Sequence, residues 1–119
     1  MNWIELNSPD QLSEIKELSK SKPVLVFKHS TTCSISNTTL NRLERNWKEE
    51  ELKVSTFYLD LLNHRSLSKQ IAEEFQVEHQ SPQVLIIKDG QSVYDNSHFG
   101  IEYPSIKNQL EKLGGLSKN

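Results

Sequence analysis

The sequence predicts an α/β fold, a mixed central sheet with helices on both faces. Three observations carry that prediction. Apolar runs and helically spaced apolar residues alternate along the chain in the order β-α-β-α-β-α-β-β-α. Pro23 to Lys28 is a nearly continuous apolar run, as a strand covered on both faces requires. Asp89-Gly90, between two strand-like segments, is a tight-turn signal that makes the last two strands an antiparallel hairpin. Strands joined through helices run parallel, so the sheet is mixed.

Each element has its own signature. Trp3-Ile4-Glu5-Leu6 alternates as a short first strand. Ser8 is placed to cap a helix with Pro9 at its first position, and Leu12, Ile15 and Leu18 are spaced to face a core. Lys20-Ser21-Lys22-Pro23 ends that helix. A second helix is expected from Ser34 to Glu50, with Leu40, Leu43 and Trp47 on its buried face. Lys53 to Leu59 is rich in Val, Thr, Phe and Tyr and reads as a strand. His64 to Phe75 carries Leu67, Ile71 and Phe75 on one helical side. After a loop from Val77 to Pro82, Val84–Ile87 and Gln91–Ser97 form the hairpin. Gly100 breaks the chain, and Pro104 opens a last helix with Ile106, Leu110 and Leu113 inward. The tail from Gly114 to Asn119 reads as a helix stop followed by a frayed end.

Composition narrows the class of function. The 119 residues amount to one domain over 1–119, long enough to bury a core. A formal net charge of −2, with both signs well mixed, offers no basic footprint for nucleic acid or an anionic membrane surface. The longest apolar runs, such as Val24-Leu25-Val26-Phe27, are far too short to span a bilayer. The N-terminus lacks a basic region followed by an apolar one, so no secretory signal is expected. One cysteine permits no internal disulfide and suits a reducing cytoplasm.

That cysteine, Cys33, falls where a buried strand ends and a helix begins. Helix N-termini present free N–H groups and the positive end of the macrodipole, and both favour a thiolate, the nucleophile of disulfide exchange. Reactive sites of α/β sheets also gather beyond the carboxyl ends of the strands. Lys28 and His29 stand close in sequence as sources of positive charge. Thr31, Thr32, Ser34 and Ser36 make the surroundings polar, which argues for exposure. The alternative is a small buried cysteine that does no chemistry.

Ser36 stands where a C-x-x-C pair would have its second cysteine. Serine cannot resolve a mixed disulfide, so an external thiol must do so. Its hydroxyl is placed to donate toward the sulfur; its ordinary reading is a first-turn helix residue. Ser81-Pro82 precedes a strand, where a cis proline would free the Ser81 backbone to pair with an extended substrate. A trans proline opening a strand is the competing reading. His29, His64, His79 and His98 are scattered, so no protein-only metal site is expected. Approach of His79 or His98 to Cys33 in a Cys-His-Asn arrangement is an alternative of lower weight. Asp60 reads as a solvated loop carboxylate, and Trp47 and Phe75 as core.

The order of elements is that of the thioredoxin fold. Over Phe27-Lys28-His29-Ser30-Thr31-Thr32-Cys33-Ser34-Ile35-Ser36 the chain resembles the monothiol bacilliredoxins, and with Ser81-Pro82-Gln83 the likeness extends over nearly its whole length. Their T-C-P-I-S motif stands here as Thr32-Cys33-Ser34-Ile35-Ser36, with Ser34 replacing proline. The resemblance implies a thiol–disulfide oxidoreductase that removes bacillithiol from protein mixed disulfides. Cys33 and Ser36 would be its catalytic residues, and Thr32, Ser34, Ser81, Pro82 and Gly100 its substrate contacts. Bacillithiol would serve as co-substrate with no bound cofactor or metal. The implied partners are bacillithiolated client proteins and, indirectly, a flavin-dependent reductase of bacillithiol disulfide. Two other readings stay open: a monothiol glutaredoxin-like iron–sulfur carrier, whose usual C-G-F-S is missing here, and a redox-sensing thioredoxin-like module that is not an enzyme.

Overall fold

The structure, a computed structural model, describes residues 1–115. The frayed end expected over 116–119 lies outside the described residues. The elements are β1 (Trp3–Glu5), α1 (Asp10–Ser21), β2 (Val24–His29), α2 (Ser34–Asn46), β3 (Ser55–Asp60), α3 (Arg65–Phe75), β4 (Gln83–Lys88), β5 (Gln91–Ser97), a 3-10 turn (His98–Gly100) and α4 (Tyr103–Lys112). Together the strands make a five-stranded sheet in the order β1-β3-β2-β4-β5. β1 and β2 both run parallel to β3, whereas β4 is antiparallel to β2 and to β5.

β2 is the central strand, and every one of its residues is buried. Its side chains alternate between two cores, as strand geometry requires. Val24 and Val26 pack with Leu12 and Ile15 of α1 and with Leu67, Ile71 and Phe75 of α3. Leu25 and Phe27 pack on the other face with Leu43 of α2 and with Ile106 and Leu110 of α4. At the carboxyl end of β2 the pattern turns polar without becoming exposed: Lys28 is 0% and His29 3% accessible.

The structure corrects several boundaries. α2 ends at Asn46, not Glu50, because Trp47 is extended (φ −68, ψ 131) and turns its buried ring back toward Tyr103, with centroids 6.1 Å apart. β3 begins at Ser55 rather than Lys53 and ends at Asp60. α1 begins at Asp10, one residue later than expected. Pro9 holds the cap position, and Ser8 Oγ accepts from the Asp10 N–H at 3.3 Å. Leu18 does not face the core: it is 37% exposed, and Ser19 is buried in its stead. Ser19 Oγ accepts from the Gly90 N–H at 2.8 Å, and its carbonyl accepts from the Asp89 N–H at 2.9 Å, which ties α1 to the β4–β5 turn. Leu40 and Leu113 are only partly buried. Gly100 closes a 3-10 turn rather than a simple break.

Candidate active site

β2 delivers the chain to the sheet's carboxyl edge, and α2 begins five residues later. Cys33 is the N-cap of α2, extended at φ −100 and ψ 120, and its thiol is free and partly exposed. Its carbonyl accepts the Asn37 N–H at 3.0 Å, and its own N–H donates to the Ser30 carbonyl at 3.1 Å. No acidic residue stands in the first turn, so the helix N-terminus keeps its positive field. Thr32 and Ser34 flank the cysteine and are exposed.

Ser36 is fully buried, and its hydroxyl does not serve the sulfur as expected. Ser36 Oγ lies 2.6 Å from His29 Nδ1 and accepts from the Ser30 N–H at 3.0 Å. Burial lowers the pKa of His29, opposed by Asp60, by a hydrogen bond with Asn37 and by Glu44. The Asn37 amide nitrogen in turn donates to the Thr31 carbonyl at 3.1 Å, so the loop before Cys33 is held from both sides.

Lys28 leaves β2 toward the opposite face. Its Nζ donates to the Ser68 carbonyl at 3.2 Å and lies 3.3 Å from His79 Nδ1, and among the described residues no carboxylate pairs with it. Burial pushes its pKa down to about 8. His79 is lowered as well, first by burial and then by Lys28. Lys28 is therefore a brace between β2, α3 and the loop before β4, and not a charge turned toward α2.

That loop ends in a cis Ser81-Pro82 peptide bond. The Pro82 carbonyl accepts the His98 N–H at 3.1 Å, which fixes the 3-10 turn to the start of β4. Among the described residues, the Ser81 backbone makes no hydrogen bond within the chain. At Gly100 the Asn96 side-chain amide occupies the space that a Cβ would take. Ser34, Ile35, Thr38, Thr39 and Arg42 of α2 face His98, Phe99 and Ile101 across a small cleft of about 110 Å³. Phe99, in the 3-10 turn on the far side of this cleft, is 77% exposed. Among the described residues no group of three or more His, Cys, Asp or Glu could hold a metal ion. No helix there is long and apolar enough to cross a membrane.

A family model described as monothiol bacilliredoxin BrxC matches residues 4–106. The chain belongs to the monothiol bacilliredoxin family. Its fold is the thioredoxin fold. A solved structure described as a candidate oxidoreductase with that fold is 33% identical, with a TM-score of 0.78 over 92% of this chain and 93% of the other. Thioredoxin f from spinach chloroplast (short form) has a TM-score of 0.67 at 16% identity, covering 93% of this chain and 92% of its own. The thioredoxin of Fasciola hepatica has a TM-score of 0.67 at 17% identity, covering 92% and 97%. At such identities these two show the fold alone. Membership of the family makes this bacilliredoxin-family chain a thiol oxidoreductase acting on redox client proteins, in which Cys33 is the sole cysteine available to carry the chemistry.

Proposed function

We propose that this protein removes bacillithiol from protein mixed disulfides in the cytoplasm, with Cys33 as nucleophile. The observation that carries the reading is the partly exposed thiol at the N-cap of α2, in a family member with no second cysteine to resolve a mixed disulfide. The Cys33 thiolate attacks the bacillithiol sulfur of the client's disulfide. A bond between Cys33 and bacillithiol forms, and the client sulfur leaves with the electron pair and takes up a proton. A second bacillithiol, as thiolate, attacks the bacillithiol sulfur now held on Cys33. Bacillithiol disulfide leaves for a flavin-dependent reductase, and the Cys33 thiolate is regenerated. The unpaired Ser81 backbone is suited to hold an extended client segment by strand addition, with Thr32, Ser34, Pro82 and Gly100 around it. The chemistry needs no bound cofactor or metal.

The test mixes reduced protein with a model protein carrying bacillithiol as a mixed disulfide and follows both by intact mass. The expected result is one bacillithiol on Cys33, release of reduced client, and repeated turnover on adding free bacillithiol. Cys33→Ala should show no transfer while keeping its circular dichroism spectrum. A single transfer without turnover would make Cys33 a sensing thiol, and no transfer to a free Cys33 would overturn the reading.

A further inference from the structure

We propose that the cleft between α2 and the 3-10 turn holds the malyl carboxylates of bacillithiol, with the Arg42 guanidinium as their anchor. This rests on the reading of bacillithiol as co-substrate. The cleft begins beside the reactive residue, because Ser34, which follows Cys33, lines it. Ser34, Thr38 and Arg42 recur every four residues and so share one stripe of α2. Ile35 and Thr39 form the stripe next to it. From Ser34 to Arg42 the helix climbs slightly over two turns, about 12 Å. The opposite wall is His98, Phe99 and Ile101. His98 sits at φ 52, in the left-handed region that few residues other than glycine adopt, and its N–H is bound to the Pro82 carbonyl at 3.1 Å. Backbone held in that region is found at ligand clamps.

The lining selects the chemistry of the occupant. Ser34, Thr38 and Thr39 offer hydroxyls, while Phe99 and the two isoleucines offer apolar surface. Among the described residues no Asp or Glu lines the cleft. Arg42 is exposed, and among the described residues no carboxylate pairs with it, whereas Lys16, Lys20, Lys88 and Lys107 each have one. A guanidinium presents a planar fork of donors that matches a carboxylate. The cleft therefore carries its positive charge two turns away from Cys33. Its volume of about 110 Å³ is well below the roughly 300 Å³ of a pocket that encloses a whole small ligand, so it takes the end group of a longer molecule. Bacillithiol has the matching build: a cysteine thiol at one end, a glucosamine in the middle, and a malyl group with two carboxylates at the other end. When its sulfur is bonded to Cys33 after the first exchange, the sugar lies along Ser34 and Thr38 and the carboxylates reach Arg42. Arg42 touches no reacting atom. It sets which low-molecular-weight thiol the protein accepts.

The test is single-turnover transfer to Cys33, followed by intact mass. One model protein carries either bacillithiol or its analogue with a methyl group in place of the malyl group. Wild type, Arg42→Gln and Arg45→Gln are compared. Arg45 is also exposed on α2 but does not line the cleft, so its loss removes the same charge and leaves the anchor in place. The wild type should take bacillithiol about fivefold faster than the analogue, the weight of an exposed but bidentate charge pair. Arg42→Gln should lose that preference, slowing about fivefold on bacillithiol and staying within about twofold of wild type on the analogue. Arg45→Gln should stay within about twofold of wild type on both, because a remote exposed charge is screened. Unchanged transfer by Arg42→Gln, or an equal loss on both substrates, would overturn the anchor and leave the proposed function standing. A loss in Arg45→Gln equal to that in Arg42→Gln would also overturn it, and would assign the effect to the general field of α2. A wild type that takes no bacillithiol at all would overturn the proposed function, and this subsite with it.

Discussion

Cys33 and Gly100 show how little of a site's chemistry lies in one residue. Among the described residues Cys33 has no ionic partner; its setting is the N-terminus of α2, the loop tied by Asn37, and the buried Ser36–His29 pair, whose Ser36 lies in the first turn of the same helix. Gly100 is demanded by its neighbour and not by its own conformation, because the Asn96 amide fills the place of a Cβ. Asn96 Oδ1 accepts the Ser97 N–H at 2.9 Å and cannot stay there if a methyl group arrives. Gly100→Ala should therefore cost about 1 kcal/mol, since the amide is the movable end of a side chain but its hydrogen bond is lost. Urea unfolding checks this, and an unchanged midpoint would show that Asn96 rotates freely.

Among the elements, the alternation of strands and helices was legible because buried strands and amphipathic helices leave distinct periodicities. Val24–Phe27, within Pro23–Lys28, and Val84–Ile87 are apolar throughout and read as strands, and the hairpin followed from Asp89-Gly90. Helix ends were less legible. Trp47 continues the apolar spacing of α2 but belongs to the turn after it, because an aromatic ring reaches the core from either conformation. Leu18 and Ser19 exchanged roles for a reason no periodicity contains: the β4–β5 turn docks on the end of α1 and requires an acceptor there. In the candidate site, Cys33 stood out from its place between a strand and a helix, Ser36 from its spacing to Cys33, and Pro82 from its place before a strand in the order of elements. The partner of Ser36 did not, since His29 lies seven residues away and meets it only because β2 and α2 fold side by side. The docking by Ser19 is testable. Ser19→Ala leaves the Gly90 N–H without its acceptor in a partly buried turn, and should lower stability by about 1–2 kcal/mol. Amide exchange at Gly90 should accelerate more than at the centre of β4; uniform acceleration would instead place the effect on the whole sheet.

Over the whole molecule, Lys28 is a feature that costs the fold stability. It is inaccessible, and among the described residues its partners are the Ser68 carbonyl and His79, with no carboxylate. Its pKa in the fold is about 8, against 10.5 when free, and burial is the cause. Below about pH 8 the lysine is protonated in both folded and unfolded chains, so the fold bears the full cost of a buried ammonium. As pH rises from about 8 to 10.5 the folded lysine loses its proton first, and that cost is relieved. The contribution of Lys28 to stability thus increases with pH over this window and is lost again as pH falls through the folded value. Lys28→Met keeps the length of the stem and removes the charge. At neutral pH it should stabilise the fold by about 1–3 kcal/mol, less whatever the two lost amine hydrogen bonds contributed. The advantage should shrink through the same window and be gone by about pH 10.5, where wild type and variant both hold a neutral side chain. Denaturant midpoints of the two proteins measured at neutral and alkaline pH give this difference free of titrating groups remote from Lys28, which both share; His79, whose pKa Lys28 lowers, is the neighbour that titrates differently in the variant. A constant gap across that range would show that the lysine is not titrating in the fold. A variant less stable than wild type at neutral pH would mean that the brace from β2 to α3 and the loop before β4 outweighs the cost of its charge.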